Sequence, residues 1–253
     1  MSNAIKTAGR FYWHELVTAD VEQAKGFYGE LLGWAITAVD MGPMGTYWIA
    51  SVGEKQVAGI AKAENGAQPG WLAYVTAHDV DETTNQAKAA GATVLVPPSD
   101  IPGQGRFSLL ADAEGALFAP FRPSDESADD GALVGLGGFC WSELLTHTPA
   151  TSIGFYTKLF DWGKDEREMG PLGTYTMFKR GDKQAAGAMK AMNPTAPAMW
   201  LNYVVVDNVD ASYARAEKLG GKQLVPPMDL PGIGRSAVVV DPAGAMIALF
   251  KAA

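Results

Sequence analysis

Apolar and polar residues alternate from Tyr12 to Thr18, and a second strand-like stretch runs from Trp71 to Thr76. A period of two predicts strands with one buried face. After each stretch the spacing lengthens to a helical one. Asp20-Val21 opens a helix ending near Gly33, and Asp79-Val80 opens another ending near Gly91. Each Asp is placed to cap its helix, because its side-chain oxygen accepts an orphan N–H of the first turn. Each Gly is placed to end it in the left-handed region. Turn signals at Gly42-Pro43, Gly53-Glu54, Pro102-Gly103 and Glu114-Gly115 then cut the following chain into two or three short strands. The order reads β-α-β-β-β. It is not the strict β-α alternation of a doubly wound sheet or a (β/α)8 barrel. One such unit leaves an apolar sheet face open, so units must pair to cover it or wrap it around a cavity.

The whole pattern occurs twice. YWHELVTADVEQAKGFYGELLGW (Tyr12 to Trp34) returns as CWSELLTHTPATSIGFYTKLFDW (Cys140 to Trp162), with 9 of 23 positions identical. MGPMGTYWIA returns as MGPLGTYTMF, and GEKQVAGIAK as GDKQAAGAMK, all at an offset of 128. VLVPPSDIPGQGR returns as QLVPPMDLPGIGR at 129, so one residue was gained before Trp200. Matches in one order at one register mark a duplication. The expected fold is α+β: four tandem βαβββ modules, paired into two curved, mostly antiparallel sheets. The expected domains are residues 1–125 and 136–253. Between them, 126–135 reads as a linker, being acidic and rich in small residues.

Strand parity selects the candidate chemistry. Trp13, Glu15 and Val17 share one face of the first strand, and His14 and Leu16 share the other. The copy keeps Trp141 and Glu143 but has Ser142 where His14 stands. A carboxylate beside a Trp in a sheet needs water or a partner, since burying a lone charge is costly. Two readings stand for Glu15 and Glu143: a structural acid bonded to Arg, Tyr or backbone, or a polar anchor and proton acceptor in a pocket. His14 joins them as a catalytic candidate, although a core or pocket-edge place suits it better. Expected ligand contacts are Trp13, Glu15, Tyr47 and Trp48 in the first half and Trp141, Glu143 and Tyr175 in the second. Arg106 and Arg235 each close a PxDxPGxGR run, where they suit a bidentate pair with a carboxylate or a place at a pocket mouth. Phe27-Tyr28 and Phe155-Tyr156 read as helix packing.

Composition narrows the class. The net charge of -8 lacks the basic footprint that nucleic acid or an anionic lipid surface requires. No run of 18 apolar residues predicts a membrane span, and residues 1–10 carry no apolar signal core. A cytoplasmic monomer or weak homodimer is expected. The single Cys140 excludes an internal disulfide and a cysteine metal cluster. His14, His78 and His147 occupy unlike places in the repeat, short of the three or four ligands a zinc site uses. Phosphate-loop, GxGxxG, HExxH, CxxC and GxSxG signatures are all missing.

The runs WHELVTADVEQAKGFYGELLGW and WSELLTHTPATSIGFYTKLFDW, with the endings DAEGALFAPF and DPAGAMIALF, resemble the vicinal oxygen chelate superfamily. That group includes glyoxalase I, bleomycin-resistance proteins and extradiol dioxygenases. The resemblance covers nearly the whole chain and points to the two-domain, four-module members. It implies paired modules around a cup in which enzymes of the family hold a divalent metal with His and Glu. At the matching positions this chain has Trp13 and Trp141, Leu72 and Leu201, and Ala119 and Ala248. His14 is one residue out of register, on the opposite strand face. The leading expectation is therefore a small-molecule-binding protein with an apolar, metal-free pocket in one or both domains and no cofactor. A metal-dependent lyase or dioxygenase of the vicinal oxygen chelate type is the alternative. A structural or regulatory partner-binding protein is a third.

Overall fold

The computed structural model describes residues 8–42, 45–64, 66–125 and 135–253, apart from the Leu172 side chain. The expected linker, except Gly135, lies outside the described residues. So do Pro43 of the expected turn and residues 1–7. The first half runs β1 (Phe11–Thr18), α1 (Val21–Leu32), β2 (Ala35–Asp40), β3 (Thr46–Val52) and β4 (Lys55–Lys62). It continues with β5 (Gly70–Thr76), α2 (Val80–Ala89), β6 (Thr93–Ile101), β7 (Gly105–Ala111) and β8 (Leu117–Pro123). The second half opens with β9 (Phe139–Thr146), α3 (Pro149–Phe160), β10 (Gly163–Glu168), β11 (Thr174–Arg180) and β12 (Lys183–Lys190). It closes with β13 (Met199–Val205), α4 (Val209–Lys218), β14 (Lys222–Leu230), β15 (Gly234–Val240) and β16 (Met246–Ala252). The βαβββ unit thus occurs four times. Strand order is β2-β3-β4-β1-β5-β8-β7-β6 in one sheet and β10-β11-β12-β9-β13-β16-β15-β14 in the other. Both sheets are mixed. Hairpin neighbours run antiparallel, whereas β1–β4 and β5–β8 are parallel, as are β9–β12 and β13–β16. No helix among the described residues is long and apolar enough to cross a membrane.

The helix ends follow local chemistry. Asp20 accepts the Gln23 N–H at 2.9 Å, Asp79 that of Glu82 at 3.0 Å, and Asn208 that of Ala211 at 3.0 Å. Thr148 at the start of α3 makes no such bond. Glu114, on the turn before β8, instead ties down the segment that leads into α3. Its carboxylate accepts the His147 N–H at 3.1 Å, the Ser152 hydroxyl at 2.9 Å and the Thr146 hydroxyl. Gly33 ends α1 at φ 72°, and Asp161 adopts the same left-handed conformation at the matching place after α3, φ 53°. A short polar side chain tolerates that region better than most.

The chain packs as two compact units, each taking one module from each half. One contains Trp13–Leu72, Leu133–Trp141 and Leu201–Ala253; the other contains Met1–Tyr12, Ala73–Ala132 and Ser142–Trp200. Leu16, Phe27, Tyr28, Trp34, Ile60, Trp71 and Ile247 are buried together in the first, where α1 meets α4. Leu110, Phe118, Leu144, Tyr156, Trp162, Phe178 and Trp200 are buried together in the second, where α2 meets α3.

The same buried bond closes each core. In the first, the Tyr28 hydroxyl donates to Asp241 Oδ2 at 3.0 Å and accepts the Trp71 indole N–H at 3.0 Å. The other Asp241 oxygen accepts the N–H groups of Ala243, Gly244 and Ala245 at 2.8–2.9 Å. In the second, the Tyr156 hydroxyl donates to Asp112 at 3.0 Å, and Asp112 holds the N–H groups of Glu114 and Ala116 at 2.9 Å. Burial first, and the neighbouring carboxylate second, push both phenols well above the usual tyrosine range, so each stays a donor. Two indoles tie down the approach to the first strand of each half. Trp34 Nε1 donates to Gly137 O at 2.8 Å, and Trp162 Nε1 donates to Gly9 O at 2.9 Å. A Cβ on Gly9 would stand 2.5 Å from the Trp162 nitrogen, so the close approach requires glycine.

His14 belongs to the first core. It is 7% exposed and stacks on Phe139, with ring centroids 4.0 Å apart and planes 13° apart. Burial lowers its pKa to about 3, against a hydrogen bond with Asn202 that acts to raise it.

Two outcomes follow from this packing. Tyr28→Phe and Tyr156→Phe should each lower unfolding stability by about 1.5–3 kcal/mol, the worth of a buried bond to a charged acceptor. Because the two bonds share no partner, the double variant should lose close to the sum in urea titrations. The His14 ring should stay neutral in the native protein, with NMR signals that do not titrate from about pH 8 to about pH 4. The unfolded ring binds a proton below about 6.5. This group's contribution is therefore complete above that pH and falls by up to about 1.4 kcal/mol per pH unit as pH drops toward the folded value. His14→Phe should flatten the acid limb of the stability profile. An unchanged limb would show that the imidazole is not held neutral.

Candidate functional site

The face of β1 turned away from the helices carries Trp13, Glu15 and Val17, all half-buried, while Leu16 and Thr18 are fully buried on the other. β3 adds Tyr47 beside them. The Trp13 indole donates to the Tyr47 oxygen at 3.0 Å, and the Tyr47 hydroxyl donates to Glu15 Oε2 at 2.8 Å. The three side chains form one relay of donors running toward a carboxylate. Burial, then the Glu15 charge, raises the Tyr47 pKa far beyond the usual tyrosine range, and the Trp13 bond opposes this only in part. Tyr47 therefore keeps its proton and fixes the orientation of Glu15.

Gly59 makes room for the relay. It lies opposite Glu15 in the β1–β4 ladder. A Cβ there would fall 1.6 Å from the Tyr47 oxygen and 2.9 Å from Trp13 Nε1. Any side chain would displace the phenol. Strand parity did not single this residue out. The signal was present in the repeated KQxAGxxK run, where Gly59 and Gly187 both persist.

In the second half, Glu143 lies on β9, 6% exposed, opposite Gly187 in the β9–β12 ladder. Leu144 beside it is buried under α3, so Glu143 shares the sheet face turned away from that helix. Tyr175 is half-buried on β11, and Trp141 half-buried on β9. Trp48 does not join Tyr47. It pairs with Ile60 and packs against the helix-side core, on the opposite face of β3. His14 likewise faces the core.

Arg106 and Arg235 do form bidentate pairs, but with carboxylates of the helices. Arg106 grips both oxygens of Asp81 in the first turn of α2, at 2.6 and 2.9 Å, and Asp100 at 2.9 Å. Arg235 grips Asp210 in the first turn of α4 at 2.8 Å and Asp229 at 2.7 Å. The hydrogen bonds from each guanidinium hold Asp81 and Asp210 below the usual carboxylate range. These pairs fasten a helix start to the neighbouring hairpin.

The relay suits proton chemistry and recognition of a hydrogen-bonding ligand. A carboxylate oriented by a phenol accepts a donor or a proton, and the indole beside it offers an apolar face. A metal is a separate matter. Among the described residues, no three His, Cys, Asp or Glu side chains come together where they could hold one. The donors that do meet, Glu15 and Tyr47, are one carboxylate and one protonated phenol.

Comparison with known proteins agrees with this architecture. The profile of the Glyoxalase/Bleomycin resistance protein/Dioxygenase superfamily matches residues 10–119 and 141–249. The protein CFP32 of Mycobacterium tuberculosis (strain CDC 1551 / Oshkosh), whose name provisionally calls it a glyoxylase, is 33% identical over 247 residues. The match covers 95% of this chain and 94% of that protein. Among solved structures, the 2,2',3-trihydroxybiphenyl 1,2-dioxygenase of Sphingomonas wittichii strain RW1 aligns with TM-score 0.66 at 13% identity. That alignment covers 96% of this chain and 90% of the enzyme. The Mn(II)-bound glyoxalase of Novosphingobium aromaticivorans aligns with TM-score 0.63 at 15% identity, over 96% of this chain and 82% of that one. These structures correct the expectation that no cofactor is involved: glyoxalases and dioxygenases with this fold include one holding Mn(II), so a missing cofactor is not the default for such a protein. The fold is a small-molecule-binding one, and this chain belongs to the glyoxalase/bleomycin resistance protein/dioxygenase superfamily.

Proposed function

We propose that the protein transforms a small organic molecule with neighbouring oxygen groups, in a reaction of the metal-dependent lyase or dioxygenase kind. Glu15 is the proton acceptor, and Tyr47 and Trp13 position it. The observation that carries this reading is the relay Trp13–Tyr47–Glu15 on the sheet face turned away from the helices. Support for a metal-dependent reaction over simple sequestration comes from the solved structures of the same fold. One is named a trihydroxybiphenyl 1,2-dioxygenase, and another holds Mn(II).

A divalent metal, when bound, would polarise a substrate oxygen and lower the cost of developing negative charge. The described residues do not gather three of its usual protein ligands. What the chain's own groups do is definite. Tyr47 donates to Glu15 and holds its carboxylate in place to take a proton from an acidic substrate group. Trp13 donates to the phenol oxygen, which keeps the Tyr47 proton pointed at Glu15. Its ring adds apolar area for a flat substrate. Glu143 and Tyr175 occupy the equivalent positions of the second half, so the same role falls to them there.

Turnover of a panel of catechols and hydroxylated biphenyls, followed with chelator-treated protein and after addition of Mn(II) or Fe(II), tests this reading. Glu15→Gln should lower kcat/KM by about 10²–10⁴, the usual share of a general base. Tyr47→Phe should cost less, and neither should shift the thermal midpoint by more than a few degrees. Gly59→Ala should mimic Tyr47→Phe, because the added methyl displaces the phenol. Saturable binding without turnover under either metal would defeat the enzymatic reading. Full turnover by Glu15→Gln with lowered stability would make Glu15 a structural acid.

A further inference from the structure

At the 128-residue offset of the repeat, Trp48 falls on Thr176. Both residues lie on the strand that follows the first hairpin turn of their module, and both face the helix side. Trp48 pairs with Ile60 and packs against the core under α1. Thr176 pairs with Ala188, and its neighbour two residues on, Phe178, is buried under α3. An indole therefore occupies this place in the first module, and only a hydroxyl and a methyl occupy it in the third.

There a cavity of about 630 Å³ opens between α3 and strands β10–β12. Ile153, Pro171 and Met192 give it apolar walls, and Thr176, Lys164 and Lys190 give it polar ones. Thr176 is 2% exposed. Its hydroxyl lies on the lining of the cavity, where it can meet a bound molecule. Lys164 is paired with Glu166 at 2.6 Å, whereas Lys190 has no ion-pair partner among the described residues. The net charge of the three ionisable groups lining the cavity is positive. The volume is that of a pocket for a small organic ligand.

We propose that this cavity is a second ligand site for a small amphipathic organic anion: a flat apolar body against Ile153, Pro171 and Met192, with its acidic group held by Lys190 and the Thr176 hydroxyl. It is separate from the site described above. Tyr175, adjacent in β11, faces the other side of the sheet with Glu143, and Thr176 faces α3. The proposal does not depend on the reaction assigned to Glu15.

Fluorescence titration with 1-anilinonaphthalene-8-sulfonate, an aromatic sulfonate, tests it on the full chain. Wild type should bind about one equivalent saturably. Thr176→Trp, which installs the residue of the first module, should weaken binding at least about tenfold. Lys190→Gln should weaken it about threefold to tenfold and flatten its salt dependence. Gly154→Glu guards against a misfolded Trp variant. An added Cβ at Gly154 meets nothing within 4 Å, so that variant should fold normally, yet it sets a carboxylate at the cavity edge. It too should weaken binding at least about tenfold, while Glu15→Gln should bind as wild type does. Absence of saturable binding by wild type would overturn the proposal. So would wild-type affinity in Gly154→Glu and Lys190→Gln, or loss of binding confined to Glu15→Gln, which would place the probe at the other site.

Discussion

Each core depends on a carboxylate that would be unaffordable if any of its oxygens were left alone. Asp241 and Asp112 lie at the bottom of a tight turn and are nearly inaccessible to water. Each spends one oxygen on backbone N–H groups of its own turn and the other on a tyrosine from a helix far away in sequence. The turn geometry thus fixes where the helix must dock, and the helix completes the solvation of the turn. Removing either partner leaves a buried polar group unsatisfied, which is why such pairs act as positional constraints more than as sources of net stability. The constraint also explains how the chain is divided. Helix α1 of the first module can satisfy Asp241 only in a core shared with the fourth, and α3 of the third can satisfy Asp112 only in a core shared with the second. Sheets follow the halves of the sequence, and cores do not.

This division leaves one face of each sheet uncovered by helices. Helices cover Leu16 and Leu144, so the alternate residues Glu15 and Glu143 must face away from them. A carboxylate in that position still needs a partner, and Tyr47 supplies it in the first module. The space for the phenol comes from a missing side chain at Gly59, one strand over. The relay is therefore assembled from three strands that are adjacent only because β1 pairs in parallel with β4 and β4 pairs antiparallel with β3. That adjacency is a property of the module, and the copy repeats the same Glu–Gly register at Glu143 and Gly187.

Local features were legible from the residues alone. The duplication, the four βαβββ units, the aspartate caps, the glycine stop at Gly33 and the parity that set Glu15 against His14 all depend on neighbours within a turn or a strand. Partners distant in sequence were not legible. Nothing in the helix run containing Tyr28 names Asp241, and nothing in PxDxPGxGR says that the carboxylate Arg106 grips is Asp81 of a helix. Trp48 follows from alternation alone. Tyr47 and Trp48 are consecutive in a strand, so both cannot face one pocket, and alternation alone would have sent the indole to the core. The cofactor question was illegible for a different reason. The residues at the family's ligand positions, Trp13, Leu72 and Ala119, describe what this chain lacks, whereas what the fold accommodates is visible only in its other members.

The two copies within one chain separate what the architecture requires from what it tolerates. Tyr28 and Tyr156, Trp34 and Trp162, Trp71 and Trp200, and Asp241 and Asp112 persist, and every one of them lies in a core. Glu15 and Glu143, Tyr47 and Tyr175, and Gly59 and Gly187 also persist, although packing against a helix cannot be the cause, since their face is turned the other way. Divergence falls elsewhere. His14 became or was Ser142, a small hydroxyl that needs no aromatic partner. Gly33 corresponds to Asp161 at the same backbone conformation. Asp20 caps α1, whereas the segment entering α3 is held by Glu114, whose counterpart is Ala243. In these cases a local substitute preserved the fold. At Trp48 and Thr176 no substitute appeared: the indole's space in the third module stayed open, with a buried hydroxyl and a lysine at its wall. The space opens to solvent along α3, so water can fill it and the core beneath, with Phe178 and Ile153, keeps its own contacts.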